Sequence, residues 1–200
     1  TDQEKELPTR ALQLIRLNYT KNSAPFYANN AITIFTNGKE KFDRLKSELS
    51  AAQKYIHIQY YIFENDKLGN EISDILIEKA QAGVEVRLIY DDVGCWRVDN
   101  AFFERLSRAG VIVRPFMKVT FPRLANKINY RNHRKIVVID GKTGFMVGMN
   151  IADRYVEGLP WGRWRDTHIL IKGTGVHDLK SSSSDAWYFT ESLPLDIYVY

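Results

Sequence analysis

An imidazole and an ammonium held side by side can grip and attack a phosphate, and His133 and Lys135 stand two residues apart. They open the run His133-Arg134-Lys135-Ile136-Val137-Val138-Ile139-Asp140-Gly141, which is followed by Gly148 and Asn150. As a pattern this is H-x-K-x4-D-G, then a glycine and an asparagine. A lysine brings charge and three donors. A histidine nitrogen can attack phosphorus and carry it covalently. An asparagine amide can donate to a phosphoryl oxygen, and donors preset around such oxygens stabilise the charge that builds there. Taken singly, each residue has a plainer reading. A histidine among basic residues is ordinarily a surface residue, a lone lysine is ordinarily solvated, and Asn150 could simply cap the IADRY segment. It is the combination that points to chemistry.

The elements around the motif must hold these groups together. KIVVID (135–140) and TGFMVGM (143–149) read as two strands joined by an Asp-Gly turn. His133 and Lys135 lie two apart at a strand start, so they point to the same face. Asn150, at the end of the partner strand, returns to the same rim. Asp140 lies an odd number of residues from His133. Strand parity sends it to the other face, so it reads as mainly structural although it belongs to the motif. Asp91-Asp92 sits at another strand end. No third metal ligand accompanies it, so a hydrogen-bonding role is preferred over a metal pair.

The rest of the chain supplies a frame of alternating strands and helices. Strands are expected at 31–35, 55–63, 84–92, 111–116 and 167–173, and helices at 8–19, 39–52, 68–82, 98–109 and 175–190. The Ser181–Ser184 run is a poor helix former. This alternation argues for an α/β sandwich, a sheet covered by helices on both faces. KIVVID is apolar on both sides, as a central covered strand should be. Residues 1–30 read as a helix and linker, and 31–200 as the catalytic domain. No internal repeat is evident. A start at Thr1 without Met, and the apolar end IYVY, suggest that the native protein continues.

Composition narrows the class. The 200 residues are 44% hydrophobic and 26% charged, as in a soluble globular domain. One cysteine, Cys95, excludes an internal disulfide and a sulfur-rich zinc site. No apolar run approaches the ~18–20 residues of a membrane-spanning helix. The formal net charge is +4, and its distribution is uneven. From Arg105 to Ile139 there is no Asp or Glu, while Arg131, Lys127 and seven other basic residues fall there. Such a run can be a solvated face. At this length, ending on the motif, it reads as a phosphate-attracting surface. Arg131 and Lys127 are candidates to bind substrate, with Gly148 lining the site. In the loop PFMKVTFPRLANKINY, Phe116 and Phe121 among basic residues suit a membrane interface.

His133, Lys135, Asp140 and Asn150 resemble the HKD motif of the phospholipase D superfamily. The blocks YIHIQYYIF, VEVRLIYDDVG, NYRNHRKIVVIDGKTGF, GMNIADRY and WRDTHILIKG resemble bacterial cardiolipin synthases over roughly residues 26–190. The resemblance implies a phospholipase-D-like α-β-α sandwich with a mixed central sheet. It implies phosphatidyl transfer between two phosphatidylglycerol molecules through a phosphatidyl-histidine on His133, at the cytoplasmic face of the cell membrane, without metal or organic cofactor. It also implies that Asp166, in WRDTH, accepts the Nδ1 proton of His133. Family members carry two such motifs and this chain carries one. The partner is therefore expected to be a second half, in the same polypeptide or in a homodimer, and the single half alone is expected to be inactive. Apolar N-terminal helices usual in the family are absent, and Val147 stands where many superfamily members have a small residue. Two other readings compete. Single-motif superfamily members resemble a small endonuclease that builds its site from two identical chains, but the apolar loop argues against nucleic acid. An inactive binding module is disfavoured by the intact His133 and Lys135.

Overall fold

In a computed structural model, described over residues 8–118 and 131–192, seven strands form one mixed sheet. The elements run α1 (Thr9–Asn22), β1 (Asn30–Phe35), α2 (Gly38–Ser50), β2 (Tyr55–Tyr60), α3 (Lys67–Gln81), β3 (Glu85–Asp91), α4 (Asn100–Arg108), β4 (Ile112–Phe116), β5 (Ile136–Ile139), β6 (Thr143–Met146), α5 (Arg154–Glu157), β7 (His168–Gly173) and α6 (Val176–Ser192). The strand order is β1-β7-β6-β5-β2-β3-β4. β2, β3 and β4 are parallel, and the remaining pairs are antiparallel.

Side-chain parity divides the sheet into two packed faces. On one, Ile56, Ile58, Leu88, Val137 and Phe145 meet Phe42, Leu45, Ile72, Leu76, Phe103 and Leu106 of α2, α3 and α4. On the other, Ile136 and Val138 meet Val176 and Leu179 of α6, and Ile89 meets Ala186 and Trp187. The expected α-β-α sandwich with a mixed sheet is what forms. β5 is buried along its whole length, as its two-sided apolar pattern requires. α6 runs unbroken through Ser181–Ser184 because its apolar side chains on either flank pack against the sheet, and tertiary packing outweighs a weak propensity. α1 buries no side chain.

Two strands stop earlier than their sequences suggest, and both stops matter for the site. β2 ends at Tyr60 because its antiparallel neighbour β5 begins opposite Gln59, at Ile136. Residues 62–64 then pair instead with Ile151, through Ile151 N–H to the Ile62 carbonyl at 3.2 Å and Glu64 N–H to the Ile151 carbonyl at 3.0 Å. β6 ends at Met146 because Val147 and Gly148 adopt positive φ, 82° and 33°. For a β-branched residue that is an outlier, typical of strain held at functional sites. Reading TGFMVGM as strand to its end overlooked this turn.

Asp140 locks the opposite end of β5. It and Gly141 both have positive φ, 52° and 67°, and make the tight turn into β6. Its carboxylate accepts the backbone N–H groups of Gln53, Lys54 and Tyr55 at 2.9, 2.8 and 3.0 Å, tying the turn to the start of β2. Burial pushes this carboxyl's pKa up, but the three N–H donors outweigh it and hold the group below the usual carboxylate range. Asp140 therefore belongs to the fold's scaffold, across the sheet's length from His133, rather than among the catalytic groups. The stabilisation from a depressed carboxyl is fully present above the unfolded pKa and is lost as pH falls through the folded one. Asp140→Ala is expected to cost about 2–4 kcal/mol at pH 7, with the difference from the parent shrinking below about pH 3–4. Urea unfolding at the two pH values checks this.

Candidate active site

The site gathers where β5 begins, at the same end of the sheet where β6 finishes and β7 starts. Lys135 and His133 lie on the face shared with Val137, as parity requires. Lys135 is buried, only 4% exposed, and its Nζ lies 2.8 Å from His133 Nδ1 and 3.2 Å from Nε2. The same Nζ donates to the His133 backbone carbonyl at 2.8 Å. Burial pulls the Lys135 pKa down to about 8, with the Asp166 carboxylate opposing the shift. His133 is exposed. What burial it has lowers its pKa below the usual histidine value, Lys135 lowers it further, and Asp91 pulls the other way. At neutral pH this sets a charged lysine against a neutral imidazole whose unprotonated nitrogen can accept from the ammonium, the pairing a phosphate-attacking nucleophile needs once a phosphate draws the lysine away.

Asp91 positions the segment that carries His133. At the end of β3 its carboxylate is buried, yet it accepts the N–H groups of Val93 (3.0 Å), Gly94 (2.9 Å) and Asn132 (3.1 Å). Arg131 lies 3.6 Å from it and also reaches the Met117 carbonyl at 3.5 Å. The hydrogen-bonding role expected of the Asp91-Asp92 pair thus has a clear object for Asp91. Arg131, expected to bind substrate, anchors this segment.

Asn150 is buried. Its Oδ1 accepts the Ile62 N–H at 3.2 Å, and its Nδ2 donates to the Tyr155 hydroxyl at 2.8 Å. An amide nitrogen carries two hydrogens, so one remains for a phosphoryl oxygen. Asp166 does not meet His133 among the described residues. Its Oδ1 accepts the Thr167 N–H at 2.7 Å and abuts Gly148, and its charge is felt by Lys135. His133 Nδ1 faces the lysine instead. Gly148, expected to line the substrate site, is where Asp166 and the Thr167 carbonyl press so close that no Cβ would fit. Phe116, expected at a lipid surface, is half-buried and stacks on Phe189 of α6, with ring centroids 5.2 Å apart. Phe121 and Lys127 lie outside the described residues.

Sequence reading missed several neighbours. The Tyr61 ring lies 4.5 Å from that of His133, and the Lys135 ammonium lies 5.5 Å from the Tyr61 ring. Tyr61 was lost inside an aromatic strand; only the stop of β2 at Tyr60, set by its pairing with β5, sets it apart. Tyr155 holds Asn150 and packs on Trp164 at 5.5 Å. Beneath lies a polar layer. Lys41 is fully buried, with its Nζ 2.9 Å from the Tyr60 hydroxyl and 3.6 Å from the Phe42 ring centre. Burial lowers the Lys41 pKa well below that of an ordinary lysine and takes His168 down to about 2. Among the described residues no cluster of three or more His, Cys, Asp or Glu could hold a metal ion, and no helix is long and apolar enough to cross a membrane.

Comparison with known proteins decides the family. A family model described as "Cardiolipin synthase, PLD-like domain" matches residues 45–174. The chain belongs to this family. A cardiolipin synthase from Geobacillus kaustophilus is 44% identical over 177 residues, 88% of this chain and 35% of that protein. The major cardiolipin synthase ClsA of Bacillus subtilis is 43% identical over 169 residues, 84% of this chain and 35% of its own length. The chain thus spans about a third of the curated relatives it matches. Among solved structures, phosphatidylserine synthase from Haemophilus influenzae matches with a TM-score of 0.61 at 19% identity, over 94% of this chain and 41% of that one. Nuc from Salmonella typhimurium, a phospholipase D family member, also gives 0.61, at 14% identity, over 80% of this chain and 95% of that one. At these identities the likeness is one of fold. All the residues of the HKD pattern fall inside the segment matched by the cardiolipin synthase family.

The Gly148–Asp166 contact generates a prediction. Gly148→Ala places a methyl where the Asp166 carboxylate lies, on backbone that already has positive φ. The variant is expected to lose about 1–3 kcal/mol of stability. Because the Asp166 charge raises the Lys135 pKa, displacing it should lower that pKa further. Urea unfolding and NMR titration of the lysine side chain check the two effects.

Proposed function

We propose that this chain is one catalytic half of an enzyme that transfers a phosphatidyl group between two phosphatidylglycerol molecules, giving cardiolipin and glycerol. The observation that carries this reading is the charged Lys135 held against a neutral His133 at one end of the central strand, within a segment that matches the cardiolipin synthase family. In the proposed reaction a His133 nitrogen attacks the phosphorus of the first phosphatidylglycerol, and the bond from phosphorus to the glycerol oxygen breaks. The departing glycerol takes a proton from a histidine of the opposing half. A hydroxyl of the second phosphatidylglycerol then attacks the phosphorus. The phosphorus–nitrogen bond breaks, its electron pair returns to the ring, and the hydroxyl proton passes to the opposing histidine.

The residues of this chain divide the work. Lys135 and the free N–H of Asn150 hold phosphoryl oxygens and stabilise their growing charge. An arriving phosphate competes with the His133 ring for Lys135 Nζ, releasing the imidazole to attack. Tyr61 walls one side of the ring. Lipid headgroups and an anionic membrane surface are the expected partners. A nucleic-acid substrate has less support, since the relatives at 43–44% identity are cardiolipin synthases and the likeness to Nuc is one of fold.

In the full-length enzyme, His133→Asn is expected to abolish cardiolipin formation and to leave no covalent adduct with labelled phosphatidylglycerol. Label still attached to the variant would transfer the nucleophile's role to the other histidine. A second expectation concerns pH. His133 must be neutral, so activity rises with pH through a value below the usual histidine range. Lys135 must be charged, so kcat/KM falls as pH passes about 8. Lys135→Arg keeps its charge at every working pH. Whatever it costs in rate, it should remove the part of the alkaline limb that Lys135 sets near pH 8 and leave only the limb set by the opposing histidine, which must be protonated to release glycerol; a pH–rate profile of both enzymes reads this directly.

A further inference from the structure

A cleft of about 450 Å³ opens beside the HKD site and takes no part in the chemistry described so far. Its walls are the start of α2, the end of α5 and the segment leading into β7. Lys39, Arg163 and Arg165 line it, against one carboxylate, Glu157. Lys39 pairs with Asp43 at 2.8 Å, whereas neither arginine has an ion-pair partner among the described residues. Trp164 forms an aromatic wall, 45% exposed. At its floor Gly38 is pressed against the Tyr155 carbonyl so closely that a side chain there would not fit. The α2 start therefore faces the cleft directly and adds its positive end to the field.

Two links join this cleft to the reacting groups. Tyr155 lines the cleft, and its hydroxyl accepts from Asn150 at 2.8 Å. Arg165 lines it too, and the next residue is Asp166, which bears on Gly148 and Lys135. One side chain thus separates the cleft from the catalytic asparagine. The adjoining turn is held shut by Leu159 N–H to the Gly162 carbonyl at 2.8 Å and Gly162 N–H to the Leu159 carbonyl at 2.9 Å. At that turn Trp161 is 83% exposed. An exposed tryptophan two residues ahead of an arginine suits the headgroup level of a bilayer.

We propose that this cleft binds the phosphodiester of the accepting lipid, with Arg163 and Arg165 holding its phosphate while its glycerol hydroxyl reaches past Tyr155 to the phosphorus on His133. The assignment rests on the phosphatidyl-transfer reading above and deepens it. His133 and Lys135 grip the group being transferred. A lipid acceptor carries a second phosphate, which needs its own cations, and the arginine pair supplies them in a form suited to bidentate phosphate contact. A small soluble alcohol has no such phosphate and makes no demand on the cleft.

That difference supplies the test. Full-length enzyme in mixed micelles of detergent and phosphatidylglycerol is assayed for two reactions. One is cardiolipin formation; the other is exchange of labelled glycerol into phosphatidylglycerol, which uses the donor site alone. The Arg163→Gln/Arg165→Gln variant is expected to lose cardiolipin formation by about tenfold or more, the scale of one or two charge-assisted hydrogen bonds. Glycerol exchange should stay within about twofold of the parent, which also shows that the variant is folded. Arg163→Lys/Arg165→Lys should recover part of the loss. Equal loss of both reactions, or no loss of cardiolipin formation, would overturn the assignment. So would a defect confined to binding phosphatidylglycerol vesicles, which would make the arginines a bilayer contact only. If the parent itself exchanges glycerol but forms no cardiolipin, the function proposed above fails, and the acceptor site fails with it.

Discussion

The buried carboxylate of Asp91 is the constraint on which the rest of the site depends. A charge taken so far from water is costly unless its lone pairs are filled. Three backbone N–H groups fill them, and the Arg131 guanidinium, 3.6 Å away, offsets the charge. Two of those donors come from the turn after β3, and the third, with the arginine, from the residues just ahead of His133. The carboxylate therefore joins two chain segments about forty residues apart and delivers His133 to the end of the sheet where β5 begins. β2, which lies between β3 and β5, ends at Tyr60. Tyr61, immediately beyond it, rests against the His133 ring.

Given that placement, the electrostatics follow from two basic groups sharing one small space. Lys135 is buried and His133 is exposed; burial disfavours a proton on the lysine, and the lysine's charge disfavours one on the histidine. The lysine keeps its proton near neutrality because its starting affinity is so much higher, with Asp166 in support. The histidine loses its own. The same crowding that would destabilise an ordinary surface pair here separates the two states, one group charged and one neutral. Beneath them Lys41, Tyr60 and His168 form a polar layer in which burial holds His168 neutral at any working pH. Charge at the site is thereby concentrated on Lys135 and on the exposed arginines of the neighbouring cleft.

Much of this was legible along the chain. The alternation of strands and helices, the two-sided burial of β5, the shared face of His133 and Lys135 and the exclusion of Asp140 from it are all consequences of local backbone geometry. Period-two parity and the Asp-Gly turn act over fewer than ten residues, so no tertiary information is needed to apply them. The boundaries were less secure. β6 stops short because Val147 takes a positive φ that its side chain would ordinarily forbid, and only the packing around it makes that choice tolerable.

What the sequence by itself determined is thus the fold class, the central hairpin and which motif residues share a face. Tertiary structure alone decided the partners. Asp166 meets Gly148 and influences Lys135 rather than bonding to His133, because the strand that follows it enters beside the β6 terminus. Phe116 is taken up by α6, more than seventy residues away. Tyr155 closes on Asn150 from a short helix, α5, that no periodicity announced. Contacts of this kind depend on which distant segments the closed sheet brings together. A side chain's own neighbours in the chain fix the direction in which it points, but not the group it meets there.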